Sequence, residues 1–157
     1  MTSEIDFVRK TIKGKIAEQI FEFMFRNAGE YTVIPFGYEY SQPEIAQNLK
    51  LLEEKEILST LRNTPDFILI NKAKTEVYFV EVKYMKEKNS KRIKEYAQKI
   101  VEKWNHTFLF VATPEGFFYE PCNTIIQNNG EIGELYESHV PKDLQSKYLQ
   151  LLKDFEK

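Results

Sequence analysis

The stretch PDFILINKAKTEVYFVEVK, residues 65–83, contains two apolar runs separated by a short polar segment. The first run covers 65–71 and the second 75–83, and both are rich in the β-branched and aromatic side chains that are typical of buried strands. The polar segment between them has the length of a tight turn. The sequence therefore predicts a β-hairpin with apolar side chains on both faces.

Acidic residues lie at the open end of this hairpin. A two-residue turn that pairs Lys72 with Thr75 would place Asp66 directly opposite Glu81, with their Cβ atoms about 5 Å apart. Lys83 follows Glu81 by two positions and so lies on the same face. A slip of one residue would break this alignment, and the sequence alone leaves the register open.

Two carboxylates crowded on an apolar face repel each other and lose hydration, which raises the pKa of at least one of them. A divalent cation relieves both effects, and hard oxygen ligands favour Mg²⁺, with the backbone carbonyl of Val82 as a further ligand. Lys83 would then orient or deprotonate the attacking water, or offset charge on a phosphate. In the alternative interpretation, Asp66 caps a turn, and Glu81 and Lys83 are solvated residues at a strand end.

The rest of the chain alternates between helical and strand-like patterns. The predicted elements, in chain order, are a helix over 11–27, a bent strand over 31–40, a helix from Pro43, the hairpin, a helix over 90–104, strands over 106–113 and 116–120, an exposed loop over 121–135 and a helix over 141–155. This order predicts an α/β fold, a three-layer sandwich with a central mixed β-sheet that carries the hairpin and is flanked by helices. The length of 157 residues fits a single domain over 1–157.

The faces of the outer helices follow from their apolar spacing. In the first helix, Ile12, Ile16, Ile20, Phe23 and Met24 are expected to form the main buried face, with Phe21 and Phe25 on a second apolar patch that flanks Glu18. In the last helix, the residues expected to face the core are Leu144, Tyr148, Leu151 and Phe155.

The hairpin residues resemble the motif of the PD-(D/E)XK nuclease superfamily: Pro65–Asp66, fourteen intervening residues, then Glu81–Val82–Lys83. The order of elements over roughly 11–113 also resembles the core of that superfamily. The resemblance implies a restriction-endonuclease-like fold and Mg²⁺-dependent hydrolysis of phosphodiester bonds, with Mn²⁺ able to substitute. It implies that Asp66 and Glu81 bind the metal and that Lys83 is catalytic.

Members of the superfamily often carry a glutamate in the first helix after a glycine, and Gly14 and Glu18 match that pattern. The resemblance makes Glu18 a further metal ligand, and an ordinary helix-surface charge is the alternative. Members also place a Gln or Lys from the helix after the hairpin near the site. Gln98 and Lys99 match, Lys94 matches less well, and a solvated helix face is the alternative for each.

The charge of the chain is unevenly distributed. The net charge of −2 argues, taken alone, against a nucleic-acid-binding protein. The segment from Lys83 to Lys103, however, carries eight basic and three acidic side chains, a net charge of +5. Such a segment beside a metal site would bind phosphates in a salt-dependent manner. The residues expected to contact nucleic acid are Lys86, Lys88, Lys91, Arg92, Lys94, Gln98 and Lys99.

Several classes of protein are excluded by composition. The single Cys122 cannot form an intramolecular disulfide or a cysteine-based zinc site, and it suits a reducing compartment. The first ten residues lack the apolar core of a secretory signal, and no apolar run is long enough to span a bilayer. We therefore expect a cytoplasmic protein without membrane association.

The primary hypothesis from the sequence is a Mg²⁺-dependent DNA endonuclease. Cutting both strands of a duplex would require two such chains, so a homodimer is expected by analogy. One alternative is a catalytically silent nuclease-fold module that binds nucleic acid or a protein partner. A second is a metal-free structural protein in which Asp66, Glu81 and Lys83 form a charge network.

Overall fold

The computed structural model describes residues 3–37 and 64–156, and the predicted helix from Pro43 and the end of the strand predicted over 31–40 lie outside them. The elements are α1 (Glu4–Ala28), β1 (Tyr31–Pro35), β2 (Phe67–Asn71), β3 (Val77–Tyr84), α2 (Ser90–Val101), β4 (Thr107–Thr113), β5 (Gly116–Pro121), α3 (Cys122–Gln127) and α4 (Lys142–Glu156). The five strands form one sheet in the order β1-β2-β3-β4-β5. Among the strands of the described residues, β3 and β4 pair in parallel and the other neighbouring pairs are antiparallel, so the sheet is mixed, as predicted.

Helices cover both faces of the sheet. One core lies between the sheet and α1 and α4, and its largest fully buried side chains are Phe21, Phe25, Phe67, Phe110, Met24 and Leu69. A second core lies between the sheet and α2 and α3, and it includes Ile93, Ala97, Ile100, Leu109, Val111 and Ile125. The predicted α/β class, with helices on both sides of a mixed sheet, is confirmed.

Helix α2 connects the two parallel strands. A parallel pair needs a crossover connection, and α2 provides it between β3 and β4. The side chain of Asn89 caps this helix by accepting a hydrogen bond from the Arg92 amide at 3.1 Å. The crossover places α2 over the sheet face to which Glu81 and Lys83 belong, because these residues pair with Leu109 and Val111 of the second core.

The predicted faces of the outer helices are partly wrong. Helix α1 buries Ile20, Phe21 and Phe25, whereas Ile12 and Phe23 are 53% and 52% exposed. The buried side chains of α1 all come from its second half, where the helix packs against the sheet. In α4, the predicted core residues Leu151 and Phe155 are likewise exposed, and Gln145 and Leu152 are buried instead.

The predicted exposed loop over 121–135 is also wrong. It contains the short helix α3, and the side chains of Cys122, Ile125, Ile132 and Leu135 are buried. A helix of six residues is too short to produce a periodic pattern, so no periodic signal predicts it. None of the helices within 3–37 and 64–156 is long and apolar enough to cross a membrane.

Phe21 and Phe23 offer a matched test of the corrected face of α1. Phe21→Ala is expected to lower the free energy of unfolding by about 3–5 kcal/mol, because it removes a fully buried ring that contacts Phe25, Phe67 and Phe110. Phe23→Ala is expected to change it by about 1 kcal/mol or less. Urea unfolding of both variants measures the difference, and equal losses would contradict this packing.

Candidate active site

The hairpin register brings two acidic residues opposite each other. Phe67 pairs with Val80 and Ile70 with Val77 in the antiparallel ladder of β2 and β3. The same register, continued by one residue beyond β2, places Asp66 opposite Glu81. The predicted alignment is therefore confirmed.

The turn that sets this register is longer than predicted. Lys72–Thr75 form a four-residue loop, and the Lys74 amide donates a hydrogen bond to the Asn71 carbonyl at 2.9 Å. The Asn71 side-chain oxygen accepts hydrogen bonds from the amides of Thr75 and Glu76, both at 2.9 Å. Relative to the predicted two-residue turn, one residue is added on each side, so the register is unchanged.

Asp66 accepts hydrogen bonds through both its side chain and its backbone carbonyl at the open end of the hairpin. Its carboxylate oxygen Oδ2 accepts a hydrogen bond from the Val82 amide at 2.8 Å. Its backbone carbonyl accepts hydrogen bonds from the amides of Phe36 and Gly37, at 2.9 and 3.2 Å. Asp66 is thus held from both sides, and its side chain occupies the place where a further ladder hydrogen bond would form.

The carbonyl and the amide of Val82 point toward the same neighbouring strand. In β3 the amides of odd-numbered residues face β4, since Phe79 donates to the His106 carbonyl at 3.4 Å and Met85, just after the strand, to Ala112 at 2.9 Å. Amide and carbonyl of one strand residue point the same way, so both groups of Val82 face the β2 side. The carbonyl predicted as a metal ligand therefore lies on the Asp66 side of β3.

The carboxyl groups of Glu81 and Glu18 both influence the pKa of Asp66. Burial raises the pKa of Asp66 well above its usual range, and repulsion from Glu81 together with a side-chain hydrogen bond to it raises the pKa further. Hydrogen bonds from the Val82 amide and with the Glu18 side chain act in the opposite direction. The structure thus brings Glu18, Asp66 and Glu81 together at one end of the hairpin.

Glu18 reaches this cluster from α1. Its side chain is 15% exposed and lies beside the buried Ala17 and Phe21. The Lys15 Nζ is 3.6 Å from the Glu18 carboxylate and balances part of its charge. The position of Glu18 at the rim of the buried face is as predicted.

Lys83 lies beside Glu81, and a tyrosine contacts it. The Lys83 Nζ is 3.6 Å from the Glu81 carboxylate and 4.8 Å from the centroid of the Tyr96 ring. The sequence interpretation did not include Tyr96. A usable signal was present, because Tyr96 follows the buried Ile93 by three positions and precedes the buried Ile100 by four, which places it at the edge of the buried stripe of α2.

The other basic residues of this segment make contacts of their own. Arg92 donates a hydrogen bond to the Tyr96 hydroxyl at 2.7 Å, and the Lys88 Nζ lies 4.7 Å from the Phe118 ring centroid. Lys94 donates to the Asn129 side chain at 3.3 Å.

Within the described residues, no side-chain hydrogen bond or ion pair joins the remaining residues expected to contact nucleic acid to the acidic cluster. Lys86 lies near Glu156, and Lys91 is exposed. The side chains of Gln98 and Lys99 are exposed and make no hydrogen bond or ion pair with the described residues. Their roles in nucleic-acid binding remain predictions.

The donor set fits a hard cation only in part. Within 3–37 and 64–156, no three His, Cys, Asp or Glu side chains are arranged to enclose a metal ion. Asp66, Glu81 and the Val82 carbonyl nevertheless supply oxygen ligands at one edge, and Mg²⁺ characteristically binds through one or two carboxylates and keeps several waters. The chemistry of these donors therefore fits Mg²⁺, with Glu18 as an adjacent carboxylate.

No protein-family model matches the chain, and no curated protein matches it. Any function assigned to the chain rests on the geometry described above.

Asp66→Asn is expected to stabilise the protein at neutral pH. The pKa of Asp66 is raised on folding, so the folded state holds this proton more tightly, and wild-type stability falls as the pH rises from the unfolded-state pKa of about 4 through the folded-state value. Asparagine keeps an oxygen that can accept from the Val82 amide but carries no charge.

Urea unfolding in chelator between pH 4 and pH 8 measures this effect. The stability difference between Asp66→Asn and the wild type should widen as the pH rises, and a difference that does not vary with pH would contradict the burial of a charged Asp66. Asp154→Asn, which removes an exposed carboxylate of α4, controls for the loss of charge as such.

Proposed function

We propose that the chain is a metal-dependent nuclease of the PD-(D/E)XK, restriction-endonuclease-like class, and that it acts as a DNA endonuclease. The observation that carries the proposal is the placement of Asp66 opposite Glu81 at the open end of the hairpin, with Lys83 3.6 Å from Glu81. The order α1, β1, β2, β3, α2, β4 supports it, because it matches the order of elements in the core of that class.

In this proposal the acidic cluster holds the cation. Asp66, Glu81 and the Val82 carbonyl would bind Mg²⁺ or Mn²⁺, with Glu18 as a further ligand. A bound Mg²⁺ lowers the pKa of a water molecule and stabilises charge on a phosphate. The cation would also offset the repulsion between Asp66 and Glu81, in addition to the Val82 amide, which donates to Asp66, and the Lys83 ammonium group, which lies 3.6 Å from Glu81.

Lys83 acts on the phosphate beside this cluster. Its ammonium group donates a hydrogen bond to a non-bridging phosphate oxygen or orients the attacking water. The Lys83 side chain is 34% exposed and its partner Glu81 is 15% exposed, so part of the surrounding water is already excluded and the electrostatic effect of the ammonium group is strengthened.

Cleavage assays test the proposal directly. Lys83→Ala is expected to lower the Mg²⁺-dependent rate by at least about 100-fold, the size of effect seen when one group that stabilises transition-state charge is removed. Lys72→Ala removes a lysine at the opposite end of the same hairpin and should leave the rate unchanged. Linear, nicked, branched and single-stranded DNA, each with Mg²⁺, Mn²⁺ or chelator, make up the substrate panel.

Full activity of Lys83→Ala, or cleavage that persists in chelator, would contradict the proposed mechanism. On duplex DNA, cutting of both strands would require two copies of the chain, so the proposal includes a homodimer on that substrate. Sedimentation with and without duplex DNA measures this dimerisation separately.

A catalytically silent module that binds nucleic acid or a protein partner is the second candidate. It is favoured by the finding that no three acidic, His or Cys side chains within the described residues enclose a cation. Calorimetry separates the two, because an enzyme should bind Mg²⁺ or Mn²⁺ and lose that binding in Asp66→Asn. A silent module should show no metal binding that depends on Asp66.

A further inference from the structure

Tyr96 lies at the edge of the buried face of α2. Its ring is partly buried and packs against the second core, whose α2 members are Ile93, Ala97 and Ile100. The ring is thus fixed by packing, and its hydroxyl and one part of its surface remain available to neighbouring side chains.

Two cationic side chains meet at this ring. The Lys83 Nζ lies 4.8 Å from the ring centroid, within the range of a cation–π interaction. Arg92, one helical turn before Tyr96, donates from Nη2 to the Tyr96 hydroxyl at 2.7 Å, with its Cζ 5.7 Å from the same centroid. Among the described residues, Arg92 makes no ion pair with a carboxylate, so Tyr96 is its hydrogen-bonding partner there.

We propose that Tyr96 is a positioning residue that holds Lys83 through its ring and Arg92 through its hydroxyl. The inference rests on the proposed function, in which Lys83 acts on the phosphate at the acidic cluster. A lysine side chain has four rotatable bonds, and the ring restricts Nζ to the region beside Glu81. The guanidinium of Arg92 is held nearby with donors to spare for a neighbouring phosphate of the same strand.

The two contacts can be separated by substitution. Tyr96→Phe keeps the ring and removes the hydroxyl, so Arg92 loses its hydrogen bond while the ring contact with Lys83 is kept. Tyr96→Leu removes both contacts and keeps an apolar side chain against Ile93 and Ala97. Arg92→Ala removes the same hydrogen bond as Tyr96→Phe and serves as its matched control.

Steady-state kinetics give the first measurement. Tyr96→Phe and Arg92→Ala should each raise KM about threefold to tenfold with kcat unchanged. The double variant Tyr96→Phe/Arg92→Ala should have a KM no higher than that of Arg92→Ala alone, because both changes remove the same hydrogen bond. Tyr96→Leu should in addition lower kcat about tenfold, the size of a cation–π contact in a partly desolvated site. A kcat in Tyr96→Leu equal to that of the wild type would overturn the positioning of Lys83.

Nuclear magnetic resonance gives a measurement that does not depend on activity. An aromatic ring shifts the resonances of a side chain held over its face, so the ε-methylene protons of Lys83 should be displaced upfield in the wild type. The displacement should persist in Tyr96→Phe and vanish in Tyr96→Leu, and methyl resonances of Ile93 verify that each variant is folded.

The outcomes distinguish this inference from the proposed function. If the wild type does not cleave any substrate, the nuclease proposal fails, and the Lys83 resonances still decide whether Tyr96 holds this side chain. If the wild type cleaves, Lys83→Ala does not, and the Lys83 resonances are the same in Tyr96→Leu as in the wild type, the nuclease proposal stands and the role of Tyr96 is overturned.

Discussion

The Val82 amide donates a hydrogen bond to the Asp66 carboxylate at 2.8 Å, at the point where the ladder between β2 and β3 would otherwise continue. This bond fixes the Asp66 side chain at the end of the sheet. It also leaves the Val82 carbonyl facing the β2 side. Because the register places Glu81 opposite, a second carboxylate is brought next to a largely buried first one, and the pKa of Asp66 rises well above its usual range. Oxygen atoms cluster at this end of the hairpin because the Asp66 side chain takes the place of the next ladder hydrogen bond.

Helices on both faces of the sheet contribute side chains to this end of the hairpin. Helix α1 packs on one face of the sheet and brings Glu18 to the rim beside Asp66. Helix α2, the crossover between the parallel strands β3 and β4, packs on the other face and brings Tyr96 over Lys83. Acidic and basic groups thus reach the same end of the hairpin from opposite layers. A nuclease needs this combination, because its metal requires carboxylates and its substrate requires cations.

Two apolar runs of matching length predict the hairpin, whereas its register depends on the assumed turn, which the sequence alone leaves open. The turn is predicted with two residues and has four, but the register of the strands is unchanged, because the Asn71-stabilised loop adds one residue on each side. The face of α1 could not be predicted, because that helix has more than one apolar stripe, and only packing on the sheet decides that Phe21 is buried and Phe23 exposed. The contact of Tyr96 with Lys83 depends on where α2 crosses β3, which no local pattern determines.

The central claim is that the end of this hairpin is a metal site, and paramagnetic broadening by Mn²⁺ tests it most directly. Substoichiometric Mn²⁺ added to ¹⁵N-labelled protein should broaden the amide resonances of Glu81, Val82 and Lys83 first. The same addition to Asp66→Asn should leave them sharp. Broadening that instead begins at the exposed carboxylates of α4, Asp143 and Asp154, or that is the same in Asp66→Asn, would contradict the claim.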